Sequence, residues 1–113
     1  MNYEEMSDFE INKKVAMELG VTCFVRSLID ENAVMVDKGG RVQFDPCNNP
    51  SDAWPIIANN KIALTPVGQL AWLSYGWAKW TFNHGFSPRK EVIGQSPLRA
   101  AMICFLKLKD AEK

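Results

Sequence analysis

The sequence predicts an α+β domain, about three helices packed against a small antiparallel sheet. Two capped amphipathic segments, one near each end, and a glycine-linked pair of β-branched runs between them carry that expectation. A chain of 113 residues has room for one core, so residues 1–113 are read as a single domain. With 47% hydrophobic and 23% charged residues the composition is that of an ordinary globular protein, and no repeat or low-complexity tract interrupts it.

Ser7-Asp8-Phe9-Glu10 is a capping box, with Met6 and Ile11 placed as a hydrophobic staple. Ile11, Val15 and Leu19 recur every four residues before Gly20, which predicts a helix over Asp8 to Leu19. Val21 to Leu28, rich in β-branched and aromatic residues, reads as a strand, and Asp30-Glu31-Asn32 as a turn. Ala33 to Asp37 and Arg41 to Phe44 flank Lys38-Gly39-Gly40, a connection suited to a hairpin because glycine reaches positive φ without steric cost.

Asp45-Pro46-Cys47-Asn48-Asn49-Pro50 concentrates turn formers, and Ser51-Asp52 then supplies a cap and a first-turn acid for a short helix from Asp52 to about Ala58. Asn59-Asn60 ends it, and Ile62 to Leu64 is a brief strand. From Thr65 to Gly94 the aromatic residues fit neither period cleanly. The reading there is a strand from about Tyr75 to Phe82 buried on both sides, a turn at Asn83-His84-Gly85 and a loop from Phe86 to Gly94. Ser96 as cap and Pro97 at the first helical position open a last helix, Pro97 to Ala111, whose stripe of Leu98, Ala101, Met102, Phe105 and Leu108 marks it as core.

Thirteen basic and thirteen acidic residues cancel, so the electrostatic footprint of a typical nucleic-acid-binding domain is missing. Residues 1–57 carry five Lys/Arg and ten Asp/Glu, residues 58–113 eight and three, an asymmetry that reads either as an interaction surface or as charges mixed on the surface of a compact fold. Cys23, Cys47 and Cys104 are odd in number and lack C-x-x-C spacing, which disfavours a disulfide framework or structural zinc site. Glu4, Glu5 and Asp8 stand where a signal peptide would carry lysines and an apolar run. The longest uninterrupted apolar run, Ala100 to Leu106, is too short to span a membrane. Location in the cytoplasm is the expectation.

Three separated stretches are distinctive in spelling: Met6 to Asn12, Phe44 to Ile57 with its Asp45-Pro46-Cys47-Asn48-Asn49-Pro50-Ser51-Asp52-Ala53-Trp54 segment, and Pro97-Leu98-Arg99-Ala100-Ala101-Met102-Ile103 with Phe105-Leu106. In this order they resemble the NinX-like family of small proteins of tailed bacteriophages and prophages of enteric bacteria. Members often carry Asn where this chain has Ser96, which preserves capping chemistry. The resemblance implies a phage or prophage accessory protein acting in the cytoplasm of the bacterial host. The family is one of unknown function, so it supplies no catalytic residues.

Read for chemistry, Cys47 as nucleophile, His84 as base and Asp52 or Asn48 as orienter would make a thiol enzyme, but Asp45 and Asp52 flank the thiol and oppose its anion. Asp45, Asp52, Cys47 and His84 lack any metal-ligand spacing, and neither metal nor other cofactor is called for. Cys47, Asn48, Asn49 and Trp54 exceed what a turn and a cap require. Asn48 and Asn49 beside Trp54 would suit a small ligand or nucleotide, although the amides can equally bond their own loop while Trp54 packs on the closing helix. Trp72, Tyr75, Trp77 and Trp80, with Lys79 and Arg89-Lys90 nearby, invite single-stranded nucleic acid by stacking, or serve as anchors for a protein partner. By elimination the leading expectation is binding of a host or phage protein rather than catalysis. Ligand or nucleotide binding and a nucleic-acid-associated role are the alternatives.

Overall fold

In the computed structural model, which describes residues 2–21, 23–27, 32–37, 41–77, 80–81, 85–86 and 89–112, the architecture is α+β. A single 3₁₀ turn at Tyr3–Glu5 leads into α1 (Asp8–Leu19), where Ser7 Oγ accepts from the Glu10 amide at 3.2 Å. Gly20 ends the helix in the left-handed region at φ 73°, its amide reaching back to the Ala16 and Met17 carbonyls. Both bounds match the sequence expectation, because cap and stop are local chemistry.

β1 (Cys23–Ser27), β2 (Asn32–Asp37) and β3 (Arg41–Gln43) form one antiparallel sheet in chain order, with Val36 opposite Val42 in the expected hairpin. Its connection at Lys38-Gly39-Gly40 lies outside the described residues, as do Asp30 and Glu31. A second antiparallel sheet is ordered β4 (Ala63–Val67), β5 (Ala71–Trp77), β8 (Arg89–Gly94), and β6 (Trp80–Thr81) pairs with β7 (Gly85–Phe86) in a two-stranded ladder. The strands are thus divided, where the sequence suggested one small sheet.

Three expected boundaries need correction. The second helix, α2 (Pro50–Asn59), starts two residues before Asp52 and is capped by Asn49 rather than Ser51, Asn49 Oδ1 accepting from the Ser51 amide at 2.9 Å. Pro50 thereby takes the first helical position, where a missing N–H costs nothing. The strand expected over Tyr75 to Phe82 is instead β5, which runs from Ala71 to Trp77. Phe86 to Gly94 is not a loop: Phe86 belongs to β7 and Arg89–Gly94 pairs with β5, Val92 opposite Ser74 and Ile93 opposite Leu73. Arg89, Lys90 and Glu91 hide that strand from a hydrophobicity pattern, because only one of its faces is covered. Asn83 and His84 of the expected turn lie outside the described residues, and Gly85 opens β7.

The last helix, α3 (Pro97–Ala111), is the hub of the molecule, lying against β5, β8 and β4 and against α1 and α2. Ala100 to Leu106 and Leu108 are all buried, so its apolar stripe has widened to most of its circumference. Gly76 in β5 makes room for this contact, since a Cβ there would stand 3.0 Å from Leu108 Cδ1. Ser74, on the same inner face, is fully buried; its hydroxyl has no hydrogen-bond partner of proper geometry among the described residues and lies by the Cys104 sulfur.

Candidate functional site

The segment from Asp45 is built on a tight turn, the Asp45 carbonyl accepting from the Asn48 amide at 3.1 Å and the Asn49 amide at 2.7 Å. Asp52, in the first turn of α2, reaches back to accept from the Asp45 amide at 3.0 Å. Cap, turn and helix therefore close on one another within eight residues, which fixes where the side chains of Asp45, Cys47 and Asn48 point.

What they point at comes from the far parts of the chain. Asn12 of α1 is buried; its Nδ2 donates to Asp45 Oδ1 at 2.7 Å and its Oδ1 accepts from the Cys47 amide at 3.1 Å. Asn48 Nδ2 donates to Asp45 and, at 3.1 Å, to Asp8 Oδ2. Arg99 of α3 completes the chain of contacts, its Nη1 donating to Asp8 Oδ1 at 2.6 Å and its Nη2 to the carbonyls of Glu4 and Met6. Lys107, further along α3, pairs with Glu4 and holds its carboxyl below the usual carboxylate range, and Tyr3 donates to Asp110. The three stretches with distinctive spelling thus meet at one hydrogen-bonded junction.

A family model described as Bacteriophage P22, NinX matches residues 2–109, nearly the whole chain and all three stretches. The chain belongs to the phage P22 NinX family. It is therefore a phage-associated protein, as the resemblance implied. No curated protein matches it significantly. In this NinX-family chain Asp8, Asn12 and Arg99 carry the junction, although sequence reasoning singled out none of them as a site residue. One signal was available: Asn12 sits between Ile11 and Val15 on the buried side of α1, where a polar side chain needs a partner.

The residues singled out beforehand fare differently. Cys47 is 1% exposed, and burial, reinforced by the Asp8 charge, pushes its thiol up to about 12. A thiol so placed stays protonated, the wrong form for nucleophilic attack. His84 lies outside the described residues, so the Cys47–His84 arrangement does too. Asn48 spends its amide on Asp8 and Asp45, and Asn49 spends its oxygen on the helix cap. Beside the junction is a small polar cleft of about 160 Å³, walled by Asp8, Asn12, Asp45 and Asn48 with Phe44 and Gln43. Trp54 does not pack against α3; it is 65% exposed on α2, where only Ala53, Ile56 and Ile57 turn inward. Among the described residues no group of three or more His, Cys, Asp and Glu is placed to hold a metal ion, and no helix is long and apolar enough to cross a membrane.

Burial of the two described free thiols has a pH consequence. Cys104 is also fully buried, which pushes it up to about 11, the Ser74 hydroxyl acting in the opposite direction. Both folded pKa values exceed the ordinary thiol value, so their contribution is fully present below that value and is lost as pH rises through the window from about 9 to about 12. Urea unfolding at about pH 8 and about pH 10 should show stability falling by up to about 1.4 kcal/mol per pH unit for each thiol. The Cys47→Ala variant should flatten that slope; an unchanged slope would mean that Cys47 ionises in place.

The other aromatic candidates lie on the second sheet. Strand alternation sends Ser74, Gly76 and Val92 inward to α3 and leaves Leu73, Tyr75 and Ile93 outward. Ile93 is 64% exposed and pairs with Leu73, which pairs on its other side with Thr65; Val67 is exposed one step along. Tyr75 is half-buried on this outer face, and Trp72, on the inner parity at the strand's start, is half-buried opposite Gly94 and Pro66. Trp77 and Trp80 sit in β5 and β6, with side chains outside the described set.

Proposed function

We propose that this phage protein acts in the cytoplasm of the bacterial host by binding a host or phage protein through the outer face of the β4-β5-β8 sheet. The observation that carries the reading is exposed Ile93 and Val67 with half-buried Leu73 and Tyr75, apolar side chains gathered around Thr65 by strand register and facing away from the core. Contiguous exposed apolar surface on a small domain marks an interaction site more often than scattered apolar residues do. The committed amides of Asn48 and Asn49 give ligand or nucleotide binding less support than the sheet gives a partner. A balanced net charge offers no electrostatic drive toward nucleic acid.

A photo-crosslinking residue at position 93, in phage-infected cells, is expected to trap one discrete protein adduct that the same residue at exposed Lys13 does not. Ile93→Lys should weaken that association about tenfold or more while leaving thermal stability within the range of ordinary surface changes. Adducts at position 93 no more discrete than at position 13 would remove the reading.

A further inference from the structure

We draw no further inference here: the strongest candidate, the cleft between α1 and α2 over Phe44, Ile56 and Phe105, carries nothing, since those three side chains are already buried, Asp52 and Lys109 at its rim are engaged by the Asp45 amide and by Glu112, and nothing in the structure shows what covers it.

Discussion

Replacing Phe105 with alanine is expected to cost about 3–5 kcal/mol, the range for removing a buried aromatic ring from a packed core. Phe105 is fully buried on α3, the helix that meets both other helices and the β4-β5-β8 sheet, so the space it leaves cannot collapse without moving several elements at once. Its ring also floors a cleft between α1 and α2, shared with Phe44 and Leu19, and carries Lys109 Nζ 5.6 Å from its centroid. Domains of this kind are stable by only about 5–15 kcal/mol, so the loss is a large share of the total. In urea the midpoint should fall steeply at unchanged slope, while Ile93→Ala, on the exposed face, should stay within about 0.5 kcal/mol of the parent. A Phe105→Ala cost near that of Ile93→Ala would mean that α3 is not the hub.

How far the sequence reveals this arrangement follows from the range of the interactions. α1 and α3 were legible to the residue because Ser7, Gly20, Ser96 and Pro97 act on their own backbone neighbours. α2 was shifted by two residues because Asn49 and Ser51 are both good caps, and Pro50 decides between them only once the helix is formed. β8 was missed for a different reason. Its membership depends on pairing with β5, across the β6–β7 ladder, and Arg89-Lys90-Glu91 gives no apolar alternation to betray that pairing. Of the two readings open for Trp54, a pocket wall or packing on the closing helix, its exposure disfavours the second, since α2 turns Ala53, Ile56 and Ile57 inward instead. The junction was the least legible feature. Asp8, Asn12, Asp45, Asn48 and Arg99 are each unremarkable in their own neighbourhood, and only tertiary structure brings them within hydrogen-bond reach.

That junction gives the second large effect. Asn12→Leu, close in size and so without a cavity, should destabilise by about 1–3 kcal/mol through the Cys47 amide alone, which is left buried without its acceptor. Asp45 loses a donor in the same step but keeps Asn48, so its share is smaller. Asn12→Asp separates the two contributions. It keeps an oxygen for the Cys47 amide but sets a second carboxylate against Asp45, a repulsion relieved when either is protonated. Relative to Asn12→Leu, the aspartate variant should therefore gain stability as pH falls through the carboxylate range, and urea midpoints at about pH 7 and about pH 4 read the difference. A cost for Asn12→Leu below about 0.5 kcal/mol would reduce the junction to a surface feature. Crosslinking at position 93 then tells whether the junction also serves binding: because Asn12 faces the Asp45 turn and Ile93 the outer face of the sheet, a folded Asn12 variant should retain its adduct. On that outcome the distinctive spelling of Asp45 to Trp54 reflects the demands of folding, and the surface of the sheet carries the encounter with a partner.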